Sequence, residues 1–292
     1  MSEQVTLISP VHQTPDVLEP VLRSWLGLLG RGVGQIILVN DHSPVESVEL
    51  MQAASATPRV VVMDSGLEHN VTYSKSDVTH NWQPEALSRI AELRGKLLAI
   101  LHDGKSEYGL MVDSDLLIRP DVIGALYKAV DGLEVMRRSL ISPIFWTRWM
   151  PDQPLMPQVW DQHPYGYNGI PRQRIEELRK PGLHRVNGLG ACTLLPLYSI
   201  AELWGPFGEH GPGTNIYAPV PGLERGFNGL EDRHFCTRMT CNGFELYGLG
   251  VSKWEGEGTR AVEVDPGVFH VYRSTDVARA WELVKEWEER FK

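Results

Sequence analysis

Cysteine is scarce in this 292-residue chain, with three in all: Cys192, Cys236 and Cys241. Three thiols cannot complete a disulfide set, and no two stand in a Cys-x-x-Cys pair, so a disulfide framework is excluded and a reduced, cytoplasmic setting is expected. No apolar run approaches the roughly 20 residues that cross a bilayer. The opening MSEQVTLISP lacks the basic start and apolar run of a secretory leader. Basic residues are outnumbered, 28 Lys and Arg against 37 Asp and Glu, for a net charge of -9. That balance argues against a surface that coats nucleic acid. Glycine and proline, at 28 and 20, stay well below a low-complexity composition. There is no Walker loop, no His-Glu-x-x-His, no Gly-x-Ser-x-Gly and no zinc-like Cys/His spacing. Gly30-Arg31-Gly32-Val33-Gly34 lacks the dinucleotide spacing and follows a helix rather than a strand. What is present is an ordinary globular balance, 42% apolar and 22% charged, on a length that suits one large domain or two tightly joined halves.

The first half alternates strand and helix signals. Val5 to Ser9 reads as a buried strand, Gln35 to Asn40 as a second, Val60 to Met63 as a third and Tyr108 to Val112 as a fourth. Between them, Thr14-Pro15 offers an N-cap with proline at the first helical position, and Leu18, Val21, Leu22, Trp25 and Leu29 share one helical face up to Gly30. Pro20 interrupts that pattern and points to a regular helix beginning there. Helices are predicted from Pro84 to His102 and from Pro120 to Val130. Short apolar strands alternating with helices predict an α/β fold with a mostly parallel, Rossmann-like sheet flanked by helices, whose ligands bind beyond the carboxyl ends of the strands. The second half differs. Residues 143–170 are rich in proline and aromatics, including Phe145, Trp146, Trp149, Trp160, Tyr165 and Tyr167, and read as a long irregular segment. Gly205 to Gly229 is Gly/Pro-rich, and a helix with an apolar stripe runs from Asp276. From Arg137 to Arg185, eight basic residues face four acidic ones, which suits either a solvated helix around Arg172–Lys180 or a functional patch.

Five places carry side chains suited to chemistry. Asp113-Ser114-Asp115 follows the fourth strand; in an extended chain both carboxylates face one point, an arrangement that suits a hard divalent cation, or else forms a polar turn. Asp41, ending the second strand, fits a turn former or an acceptor for a nucleotide base or ribose equally well. Arg94 falls on the inner face of its helix with Leu87, Ile90, Ala91, Leu98 and Leu101, so it needs an anionic partner, a diphosphate or one of the metal-site carboxylates, unless it reaches to the helix edge. Glu231-Asp232 opens a predicted helix; the pair suits a general base with its orienting neighbour, or acids favoured by the helix dipole. His270, in an alternating apolar segment, is a satisfied core residue unless a metal site takes it as a third protein ligand.

Taken in order, these segments resemble a glycosyltransferase of the GT-A fold, closest to the family 2 type. VTLISPVHQT is similar to that family's first strand and nucleotide loop, IILVNDHSP to its second strand with the nucleoside-contacting Asp, here Asp41. YGLMVDSDLLIRPD resembles the metal-binding Asp-x-Asp strand, GLEDRHFCTRMTCNGFELY the segment that supplies the base, and FHVYR the late segment in which some members place a metal-binding His. The resemblance implies a nucleotide-sugar-binding half over residues 1–118 and an acceptor-binding, base-supplying half over 119–292 of one domain. It implies transfer, inverting at the anomeric carbon, of a hexosyl or pentosyl group from a nucleoside diphosphate sugar, UDP favoured, to an acceptor hydroxyl on a glycan or small molecule. Mn2+ or Mg2+ would sit on Asp113, Asp115 and His270. Asp232 would be the base with Glu231 orienting it or binding acceptor, and Pro10, Val11, His12, Asp41, Arg94, Asp113, Ser114, Lys253 and Trp254 would line the donor, the last two on a lid over Ser252–Asp265. Trp146, Trp149, Trp160 and Tyr165 would form the acceptor platform. Asn40 departs from the family pattern, standing where many members have an acid, and Pro143 to Gly188 does not resemble a common acceptor region. Two other readings share the sheet and metal logic. One is transfer to a hydroxylated base in DNA, as in phage-type DNA modification. The other is a sugar-phosphate nucleotidyltransferase, which Pro10–Pro15 disfavours by having neither Gly nor Lys. A non-catalytic sugar- or nucleotide-binding module is a third class, disfavoured by the retained acids.

Overall fold

The structure is a computed structural model and describes residues 5–68, 84–104, 106–132, 138–148, 154–161, 171–204, 215–223, 230–251 and 267–292. In chain order the elements are β1 (Val5–Val11), α1 (Pro15–Leu26), β2 (Val33–Asn40), α2 (Val45–Ser55), β3 (Val60–Asp64), α3 (Pro84–Asp103), β4 (Tyr108–Val112), β5 (Leu116–Ile118), α4 (Asp121–Asp131), β6 (Ser139–Pro143), β7 (Trp146–Thr147), β8 (Met156–Pro157) and β9 (Val159–Trp160). They continue with α5 (Arg172–Leu178), β10 (Gly182–Arg185), β11 (Gly188–Leu189), β12 (Cys192–Pro196), α6 (Leu197–Trp204), α7 (Glu231–Cys241), β13 (Glu245–Gly250), β14 (Val268–His270) and α8 (Asp276–Arg290).

Eight strands form one sheet in the order β10-β13-β6-β12-β4-β1-β2-β3. Parallel pairing of β1 with β2 and β4, of β2 with β3 and of β13 with β6 sets six strands in one direction. β12 runs against both β4 and β6, and β10 runs against β13. The sheet is thus mostly parallel, and it is continuous across residues 118 and 119, with strands from both parts of the chain side by side.

Alternation along the strands divides the core into two layers, because successive strand side chains point to opposite faces. Leu7, Ile36, Leu38, Leu110 and Val112 pack with α1, α4 and α8 through Leu18, Trp25, Val122, Leu126 and Trp287. Ile8, Ile37, Val39 and Met111 face the other way, against Leu93, Leu97 and Leu101 of α3 and Phe235 and Met239 of α7. The helix α1 begins at Pro15, not at Pro20: Leu18 N–H already bonds the Thr14 carbonyl at 3.0 Å. Proline has no N–H, so Pro20 forfeits only the single bond to the carbonyl four residues back. α1 also braces β5. Ser24 Oγ donates to the Ile118 carbonyl at 3.0 Å and accepts its N–H at 2.8 Å, and Trp25 Nε1 donates to the Leu116 carbonyl at 2.9 Å. Among the described residues no helix is long and apolar enough to cross a membrane.

Candidate active site

Asp113 continues the alternation of β4, so it projects on the Met111 side of the sheet, toward α3 and α7. Its N–H donates to the Ala191 carbonyl at 2.8 Å, which fixes the strand end against the chain entering β12. Beyond Asp113 the chain turns, with Leu116 N–H reaching the Asp113 carbonyl at 3.3 Å. The turn breaks the period-two alternation. Asp113 and Asp115 therefore take different bonded partners, while Asp115 and His270 still act on the Asp113 carboxyl across the turn. Asp115 goes instead to β14, which pairs antiparallel with β5 so that His270 lies opposite Leu116. His270 Nε2 stands 3.2 Å from Asp115 Oδ2, and its Nδ1 is 2.8 Å from Thr147 Oγ1. A side-chain partner on the second ring nitrogen fixes the ring orientation, as ligating histidines require.

Arg94 joins the two halves of the site. From the inner face of α3 its Nη2 donates to Asp113 Oδ1 at 2.8 Å and lies 3.5 Å from Glu231 Oε1, while Nη1 pairs with Asp232. Glu231 and Asp232 form the first turn of α7, aimed back at α3. The Arg94 side chain is 7% exposed, but those of Asp113 and Asp232 are 33% and 20% exposed. The two carboxylates are thus open to solvent above a buried guanidinium. Burial works against the Arg94 charge, yet Asp113, Asp232 and Glu231 together hold its pKa well above the ordinary range. One guanidinium cannot satisfy three carboxylates. Burial, opposed by Arg94 and reinforced by the neighbouring acids, pushes Asp113 up to about 6 and Asp232 up to about 8. A carboxyl held near the working pH is suited to proton transfer.

Asp41 is differently placed. Its side chain is 1% exposed. Arg89 Nε donates to Oδ2 at 3.0 Å, Arg89 Nη2 to Oδ1 at 2.6 Å and Ser65 Oγ to Oδ1 at 2.9 Å. The expected acceptor for a nucleotide base is therefore turned inward onto an arginine. Arg89 also donates to the Glu68 carbonyl. Val11 is likewise not a donor contact by its side chain, which is wholly buried; its carbonyl accepts Asp41 N–H and Ser43 Oγ–H, both at 2.8 Å. His12 lies beside them, Nδ1 2.6 Å from the Asp41 carbonyl, and Pro10 is half-buried in register with Val39. Ser114 is buried in the turn between the two acids.

Of the expected acceptor platform, Trp146 is buried in the core with Arg179 over its ring at 5.1 Å, so it presents no open face for stacking. Trp160 is half-buried under the Arg233 guanidinium at 5.0 Å, packed so closely on Gly188 that a Cβ there would overlap the indole. Trp149, Tyr165, Lys253 and Trp254 lie outside the described residues, as does the whole of the expected lid.

Among the described residues no three His, Cys, Asp or Glu side chains converge as a metal cage. Of the expected trio, Asp113 is held by Arg94 and Asp115 faces His270, from the two ends of the turn at 113–116. The remaining pair does fit a divalent ion. One oxygen and one imidazole nitrogen 3.2 Å apart have about the spacing of adjacent ligands on bonds of roughly 2.1 Å. Three carboxylates (Asp113, Glu231, Asp232) around one arginine, with Asp115 acting on Asp113 beside them, also leave negative charge for a cation to offset.

No protein-family model matches the chain, and no curated protein does. Among solved structures, S. aureus TarS 1–349 in complex with UDP aligns with a TM-score of 0.50 at 13% identity, over 85% of this chain and 58% of that one. The chain has the GT-A fold. Lesser likenesses are to M. tuberculosis glucosyl-3-phosphoglycerate synthase in complex with Mn2+ and UDP-glucose (TM-score 0.33, 15% identity, 49% of this chain and 43% of that one) and to a nucleotidyl transferase from Methanothermobacter thermautotroptrophicus (0.46, 12%, 97% and 98%). The chain spans less than two thirds of the TarS fragment and less than half of the synthase. Within this GT-A fold, Asp113 of the β4 turn and the α7 acids meet through Arg94 at the carboxyl end of the parallel strands, where α/β sheets bind ligands.

Proposed function

We propose that this chain is an inverting, metal-dependent glycosyltransferase that moves a sugar from a nucleoside diphosphate sugar, UDP favoured, to an acceptor hydroxyl on a glycan or small molecule. The observation that carries this is the Asp113–Arg94–Asp232 bridge. It gathers an acid of the β4 turn and the acid of an opposing helix around one guanidinium, with Asp232 tuned upward by burial.

In this reading residues 1–118 hold the donor and 119–292 supply acceptor contacts and the base. Asp115 and His270 would hold Mn2+ or Mg2+, with Asp113 at the donor side of Arg94. Held there, such an ion would supply Lewis-acid stabilisation of the leaving diphosphate. Asp232, once ionised, takes the proton from the acceptor hydroxyl; that oxygen bonds to the anomeric carbon as the bond to the diphosphate oxygen breaks, with inversion. Arg94 holds Asp232 in place and presents positive charge toward the departing diphosphate, where charge develops. Glu231 shares the guanidinium and restrains it. The three free thiols fit a reducing, cytoplasmic compartment.

A thermal-shift panel of UDP-, GDP-, TDP- and CMP-sugars with and without Mn2+ tests the donor, since a ligand bound only by the folded state raises Tm. A Mn2+-dependent rise with a UDP-sugar is expected, followed by release of UDP on addition of acceptor. Release of pyrophosphate from UTP and a sugar phosphate would overturn the reading in favour of a nucleotidyl transfer.

A further inference from the structure

The residues assigned so far do not explain the short segment beneath them, residues 215–217. Asn215 plugs it into α3: its Nδ2 donates to the Ala91 carbonyl at 3.0 Å, and its Oδ1 accepts Tyr217 N–H at 3.0 Å. The plug needs a glycine opposite, since a Cβ at Gly95 would lie 2.7 Å from Asn215 Oδ1. Gly95 follows Arg94 directly. The outcome is a buried tyrosine set against three elements at once. The Arg94 guanidinium of α3 lies over the Tyr217 ring at 5.8 Å. The ring stacks on Phe235 of α7, centroids 4.6 Å apart and planes 9° from parallel. Its hydroxyl reaches Met111 Sδ of β4 at 3.3 Å.

Each contact sits close to a site residue. Phe235 is one helical turn after Glu231, on the same face; Met111 precedes Asp113 by two on the same side of β4. We propose that Tyr217 is a positioning residue for the candidate active site, an aromatic spacer that fixes the separation of Arg94, Asp113 and Asp232. This rests on the transfer reading of that site. The ring does so by shape and by its negative face toward the cation. The hydroxyl contributes little, because a thioether is a weak acceptor.

The experiment compares wild type with Tyr217→Phe and Tyr217→Leu, each with and without Asp232→Asn. Tyr217→Phe is expected to keep kcat within about twofold. Tyr217→Leu is expected to lower kcat about tenfold or more, as misplacement of a reacting group by about 1 Å does, with donor KM little changed. Its acid limb of kcat should move to higher pH. Asp232 faces Arg94 from α3, Asp113 from β4 and Glu231 on its own helix, and loosening the one cation leaves the two acids to dominate. Unchanged kcat and pH limb in Tyr217→Leu would overturn the proposal, as would an equal loss in Tyr217→Phe.

A ligand-free readout separates this from the transfer reading. The pH dependence of Tm that Asp232→Asn removes should have its midpoint displaced upward in the Tyr217→Leu background. An unmoved midpoint overturns the spacer role even if no donor is ever found, and a moved one supports it. Should Tyr217→Leu not fold, Phe235→Leu removes the stack from the α7 side and is expected to act in the same direction.

Discussion

Arg89 lies side-on against Asp41, Nε on Oδ2 at 3.0 Å and Nη2 on Oδ1 at 2.6 Å, in a pair that is almost wholly out of solvent. Breaking a buried pair by removing one partner leaves an uncompensated charge and costs about 3–5 kcal/mol. Arg89→Met should therefore lower unfolding stability by that order, measured by urea denaturation. The double variant Arg89→Met with Asp41→Leu should recover much of the loss, since neither charge is then buried alone.

Asp232→Asn should reduce transfer by about 10²–10⁴-fold, the range that a positioned general base contributes. The donor-dependent rise in Tm should persist. Full transfer activity in this variant would reassign the base.

The raised Asp232 carboxyl fixes the sign of a pH dependence. In the unfolded chain it ionises near 3.8, and in the folded protein near 8. Between these values the folded protein keeps a proton that the unfolded chain has lost. The stabilisation is complete below the lower value and is lost as pH rises through the upper one. Asp113, raised to about 6, acts in the same direction over a narrower window. Ligand-free Tm should accordingly fall between pH 5 and 8 by more in wild type than in Asp232→Asn. At pH 8 the variant should be the more stable by at least about 1 kcal/mol, roughly 2 °C for a chain of this size. Conversely kcat should rise with pH toward about 8 as the base ionises, a limb that titration of activity would reveal.

Asp115→Asn and His270→Ala should each weaken Mn2+-dependent donor binding at least about tenfold, in line with the sensitivity of metal sites to their ligand shells. Chelation of wild type should abolish the donor-dependent Tm rise, and added Mn2+ should restore it.

Gly188→Ala should displace Trp160, whose indole occupies the space of the added methyl, and so open the Arg233 stack. Overpacking of this kind costs about 1–3 kcal/mol, which denaturation reads directly, while tryptophan fluorescence reports the displaced ring.

The strand pattern made the sheet legible, because β1, β2 and β4 are short, largely apolar segments buried on both faces. Arg94 was legible for a related reason: it stands four residues from Ile90 and from Leu98, on a stripe otherwise apolar. Arg89 belongs to a second stripe with Ala86, Leu93 and Leu97, and that three- and four-residue spacing was the available signal. Its partner lies 48 residues earlier, beyond any local pattern. α2 escaped notice because its apolar residues are poorly segregated; only Ser47, Met51 and Ala54 are buried. Tyr217 was hidden in a Gly/Pro-rich stretch, where only tertiary packing distinguishes a buried aromatic from a surface one. The different partners of Asp113 and Asp115 come from a turn that the extended-chain rule does not describe.

α1 grips β5 at both ends through Ser24 and Trp25, and β14 lies alongside, with Val271 N–H on the Asp115 carbonyl at 2.8 Å. The wall that carries Asp115 and His270 is thereby built as a stationary jaw. Adjustment to a bulky guest falls to the opposite jaw, where α3 and α7 are bridged by Arg94 and the ring beneath it.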